Sequence, residues 1–174
     1  MSIQLTDYNR RALYGGIIAT LFTASGVFAL GSISEYEARQ LIKSSVPGFT
    51  MLCNTVVLAS ATILALLLTL LGISSGSKSK LKKNHYKQVL LIAKLDAILF
   101  IMAIAFFQFS NIPITEAENL PNSWYANIYW TTLAVSSLLS GGLVSIILML
   151  YSTVRNIILI VGLDKEDHPL ISKD

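Results

Sequence analysis

A chain of 174 residues that is 53% hydrophobic and only 13% charged, with a mean hydropathy of +0.63, is too apolar for a water-soluble domain. It reads as a small all-α, multi-pass integral membrane protein. The formal charge of +3 does not point to nucleic acid, because most of the basic surplus sits in one short segment between apolar runs, where Lys and Arg set membrane orientation.

The first apolar run covers residues 13–30, behind Arg10 and Arg11. Its end, Ala29-Leu30-Gly31-Ser32, loosely mimics a secretory signal. The run is long enough to cross the bilayer, however, and is read as the first transmembrane helix. Gly15 and Gly16, with Ala19, Thr20 and Thr23, give it a face of small residues suited to close helix packing. Ser32-x-x-Glu35 then fits a capping box, and residues 36–43 are good helix formers. These features predict a short amphipathic extracytoplasmic helix, ended by Pro47-Gly48.

The second run spans residues 49–73 and carries Thr55, Thr62 and Thr69 at a seven-residue repeat. Helix packing is the plainer use of such a stripe, and a pore lining the sharper one. Cys53 falls inside this run as a small buried hydrophobe. It is the chain's one cysteine, so an internal disulfide and Cys-x-x-Cys chemistry are excluded. Between the second and third runs lie Lys78, Lys80, Lys82, Lys83 and Lys87. They fix topology and attract anionic lipid headgroups.

The third run, residues 89–109, contains Lys94 and Asp96, the only ionisable residues well inside a span. Charged groups there are costly and mark functional positions by default. Two residues apart, they point to opposite sides of a helix and cannot pair with each other. Lys94 can snorkel to the interface on its long stem. Asp96 is too short to do so and needs a polar group, water, a cation or a proton. Arg11, Tyr14, Arg155 and Lys94 of a neighbouring copy are its candidate partners.

The loop from 110 to 130 carries Pro113, Pro121 and the aromatics Trp124, Tyr125, Tyr129 and Trp130. It predicts a non-helical cap at the headgroup level. The fourth run, 131–151, holds a small-residue face of Ser137, Gly141 and Ser145 with Gly142 beside it, and stays apolar to about 162. A helix over 128–163 would be ~50 Å long, protruding from the membrane or bending near Ser152-Thr153.

Counting Lys and Arg on the flanks gives ten on the side of both termini and the lysine segment, against two (Arg39 and Lys43) on the other. Both termini are therefore expected in the cytoplasm, most simply across a plasma (inner) membrane. The whole chain reads as one four-helix antiparallel transmembrane bundle. No metal-ligand cluster, haem-ligating His pair, phosphate loop or nucleophile elbow occurs, so neither cofactor nor enzymatic chemistry is expected. The sequence favours a homo-oligomeric, cation-preferring channel with its path between subunits, lined by Asp96 and the threonine stripe. The alternative is a non-catalytic accessory or scaffold subunit of a larger membrane complex. Membrane lipid, further copies of the chain and other membrane subunits are the expected partners.

Overall fold

The computed structural model describes residues 7–28, 35–76, 83–112 and 122–159. They form four helices, α1 (Asp7–Phe28), α2 (Glu35–Gly76), α3 (Lys83–Ser110) and α4 (Asn122–Ile157), with no strand among the described residues. Three segments are long and apolar enough to cross a membrane: Arg39–Ser74, His85–Ser110 and Trp124–Ile157. The described elements are therefore all helices, three of them compatible with a bilayer by length and composition. In α1 the charges of Asp7, Arg10 and Arg11 occupy the first turns. The uncharged remainder, at 1.5 Å per residue, measures only ~25 Å against a ~30 Å hydrocarbon core.

Two boundaries differ from the sequence reading, both at prolines. The segment after residue 35 is helical, but Pro47-Gly48 does not end it. α2 runs unbroken for 42 residues with Pro47 inside it, a length of ~63 Å. Pro47 deprives the Lys43 carbonyl of its helical donor without stopping the helix, a break that helices in membrane proteins tolerate when neighbours hold them straight. Here Ile42, Tyr125 and Tyr129 are buried together where the first turns of α2 meet α4, and Phe49, two residues past the proline, is buried in the main core. The Arg39 guanidinium also lies 5.5 Å from the Tyr125 ring centre. Likewise α4 begins at Asn122, so the aromatics 124–130 form its first two turns rather than a cap. Asn122 is the first residue of the helix, a residue type favoured at helix N-termini.

α4 is the hub. It packs against α1, α2 and α3, and α2 packs on α3, whereas α1 touches α4 alone among the described residues. The core is thus a three-helix unit of α2, α3 and α4 with α1 laid against the outer side of α4. On α2 the buried positions are Phe49, Cys53, Val56, Ser60, Ile63, Leu67, Leu70 and Ser74. Their steps alternate four and three, the heptad seam of left-handed helix packing. On α3 the stripe is His85, Gln88, Ile92, Asp96, Leu99 and Ala103.

Candidate functional site: a buried polar track

Asp96 lies in the middle of the α3 stripe and is fully buried. On the facing seam of α2, Ser60 occupies a heptad core position and is also fully buried. Among the described residues, the Ser60 hydroxyl bears on the Asp96 carboxyl, although the two do not meet full hydrogen-bond geometry. Asp96 Oδ1 and Oδ2 and Ser60 Oγ are all left without a partner. The Ser60 hydroxyl and the two Asp96 oxygens form a polar niche at one level of an apolar core, with more acceptor than donor capacity and no contact in full hydrogen-bond geometry. Such a niche costs free energy unless a proton, a cation or water completes it.

The track continues toward the lysine-loop end. His85 and Gln88 share the α3 stripe with Asp96, ~16 Å and ~12 Å away along the helix axis. His85 is 1% exposed, and its Nε2 lies 3.3 Å from Ser74 Oγ at the end of the α2 seam. The Ser74 hydroxyl spends its single proton on the Leu70 carbonyl, at 2.7 Å. The His85 Nε2 must therefore carry a proton and donate it to Ser74 Oγ. Thr153 and Asn156, also buried, bring polar groups from α4; Thr153 donates to the Met149 carbonyl at 2.9 Å. Toward the opposite end the α3 stripe turns apolar at Leu99 and Ala103. Leu99 is packed so closely on α4 that a Cβ added at Gly142 would lie 2.9 Å from its Cδ1.

The residues of the same subunit expected to join Asp96 do not. Arg11 and Tyr14 belong to α1, which has no contact with α3. Arg155 and Lys94 are exposed, Lys94 on the far side of α3 from Asp96. Thr55, Thr62 and Thr69 are exposed as well, on a face of α2 away from its core seam. Each donates to a carbonyl of its own helix: Thr55 to Met51 and Thr62 to Leu58 at 2.8 Å, and Thr69 to Ala65 at 3.1 Å. Asp96 and the threonine stripe therefore lie on different surfaces, one inside the subunit and one outside.

The small residues do meet. Gly16 and Thr20 of α1 face Gly141 and Ser145 of α4. A Cβ at Gly16 would overlap Ser145 Oγ and lie 2.7 Å from the Gly141 carbonyl; a Cβ at Gly141 would overlap Thr20 Oγ1 and lie 2.7 Å from the Gly16 carbonyl. Gly15 abuts Leu148 in the same way. The adjacent glycines of α4 thus serve two neighbours, Gly141 toward α1 and Gly142 toward α3. Ser137 is buried one turn before them. Of the lysine cluster, Lys78, Lys80 and Lys82 and the side chain of Lys83 lie outside the described residues, and Lys87 is exposed. The capping-box serine, residues 113–121 and the chain after 159 also lie outside them. No group of three or more His, Cys, Asp or Glu side chains forms a metal-ion cluster among the described residues.

The sequence reading missed His85, Gln88, Ser74, Ser60 and Asn156. A signal for them exists: Ser60 and Ser74 fall on the 4-3 seam that starts at Phe49, and His85 and Gln88 lie on Asp96's own stripe. Compared with known protein families, with curated proteins and with solved structures, the chain matches none.

Proposed function

We propose that this is an integral membrane protein that passes cations, protons included, across the bilayer as an assembly of identical copies, with Asp96 as the ion-binding carboxylate. One observation carries the reading: the two Asp96 oxygens and Ser60 Oγ sit fully buried and unpartnered in the middle of the spanning helices. A carboxylate at that depth is expensive and marks a functional position by default, ion and proton pathways among them. His85, Gln88 and Ser74 support an approach from the lysine-loop end. The arrangement is a closed one, with Leu99 against Gly142 forming the constriction beyond Asp96. Passage requires α3 and α4 to part there. On this reading the path follows the α2/α3/α4 seam of each subunit, and the outward threonine stripe is where copies meet.

The helices run alternately up and down, with both termini and the lysine segment in the cytoplasm of a plasma-membrane protein. Ten flanking Lys and Arg against two support that orientation. A second reading, a non-catalytic accessory subunit, is favoured by α1. Its far face, with Ile18 66%, Leu21 63% and Phe22 80% exposed, offers an apolar surface to another chain.

The test is ion flux into liposomes holding the purified protein, driven by an imposed pH or potassium gradient. Wild-type flux that is lost in Asp96→Asn, reduced in Ser60→Ala and kept in Lys94→Gln supports the reading. Flux equal in Asp96→Asn and wild type, or no flux with either gradient, overturns it.

A further inference from the structure

The end of the three-helix unit opposite the Ser74–His85 contact encloses a cavity of about 520 Å³ between α2, α3 and α4. Its walls are mainly apolar, with Ile42, Val46 and Phe49 from α2, Phe106 and Phe109 from α3, and Ile128 from α4. Three hydroxyls line it, but each is spent on its own helix. Ser110 donates to the Phe106 carbonyl at 3.0 Å, and Thr131 and Thr132 to the Asn127 and Ile128 carbonyls at 2.8 Å. The donor capacity left among the cavity's side chains is therefore the Lys43 ammonium and the Asn111 and Asn127 amides.

Lys43 is exposed and has no ion pair among the described residues. Its own carbonyl also lacks a helical donor, because Pro47, one turn on, has no N–H and lines the same cavity. An apolar slot with one cation at its edge fits an amphiphile whose tail enters the slot and whose anionic head stays at the rim. The segments around it are apolar enough to sit in a bilayer, and Phe109 and Ile112 are 62% and 53% exposed beside it. The opening thus faces the membrane's own lipid. A free phosphate would gain nothing from the walls, and a zwitterionic lipid would set its own ammonium against Lys43 for the same phosphate.

We propose that this cavity is a binding site for an anionic phospholipid, one acyl chain lying between α2, α3 and α4 and the phosphate held by Lys43. The site is independent of the transport reading, since Asp96 lies ten residues before Phe106 on α3, ~15 Å along the axis. The full chain, assembled in nanodiscs of phosphatidylcholine doped with phosphatidylglycerol, is released into a mass spectrometer and its retained lipid counted. Wild type keeps phosphatidylglycerol in preference to phosphatidylcholine, and Lys43→Gln loses that preference by about tenfold, as expected for one charge-assisted contact. Lys94→Gln, which removes a cation that does not line the cavity, keeps it. Filling the slot with Ile128→Trp, or with Val46→Phe if that variant does not fold, abolishes retention of both lipids. The proposal is overturned if wild type retains both lipids equally or neither. It is equally overturned if Lys43→Gln keeps the wild-type preference, or if a folded slot-filling variant still retains lipid.

Discussion

At the scale of single residues, Asp96 separates stability from function. A carboxyl whose oxygens have no partner in an apolar core contributes nothing to holding that core together, and leaving a polar group unmatched costs about 1–3 kcal/mol. Asp96→Leu should therefore raise the thermal midpoint of the detergent-solubilised protein, at roughly 2–4 °C per kcal/mol for a chain of this size, while abolishing flux. A lower midpoint would instead make Asp96 a structural contact and remove the reason to assign it an ion. That Lys94 and Asp96 part company was legible from their spacing alone, because two residues on a helix place side chains on opposite sides. The burial of His85 was not legible. A histidine beside a lysine cluster reads as solvated, and only the return of α3 against Ser74 removes it from water.

At the scale of helices, glycines show where backbones meet. Gly16→Ala places a methyl group onto Ser145 and against the Gly141 carbonyl, both on a neighbouring helix. Such overpacking costs about 1–3 kcal/mol. Gly72, by contrast, has nothing within 4 Å of an added Cβ. Gly72→Ala gains up to about 1 kcal/mol of helix propensity. The expected thermal midpoints are thus lower than wild type for Gly16→Ala and equal or higher for Gly72→Ala. The opposite order would mean that α1 does not pack on α4 through this face. The small-residue faces of α1 and α4 could be read from sequence, since little but close packing explains glycines at helical spacing in an apolar run. The course of α2 through Pro47 and the start of α4 at Asn122 could not. Proline ends a helix when nothing else holds the chain, and here α2 and α4 brace each other across Ile42, Tyr125 and Tyr129.

At the scale of the whole molecule, apolar length makes the membrane class legible, but which face of each span meets protein is not. Lipid tails are as apolar as a helix core, so the polar–apolar contrast that reveals a buried face in water is missing. Hence the threonine stripe of α2 lies outside the core, whereas the seam that forms the core is mostly apolar, broken only by Ser60 and Ser74, and merges with the apolar residues on either side of it. An outward line of hydroxyls between apolar residues remains the surface best suited to a second copy, because it permits close approach without burying an unmatched donor. On a Cys53→Ser background, Thr62→Cys should form disulfide-linked dimers when membranes are oxidised, and Leu68→Cys, exposed on another face of α2, should not. Native mass of the mildly extracted protein should accordingly give several identical chains. A monomer, or one copy among unrelated chains, would remove the assembly from the transport reading and favour the accessory subunit. Each subunit carries its own Asp96 track, so a flux-competent monomer would still retain the ion site while losing the reason for the threonine face.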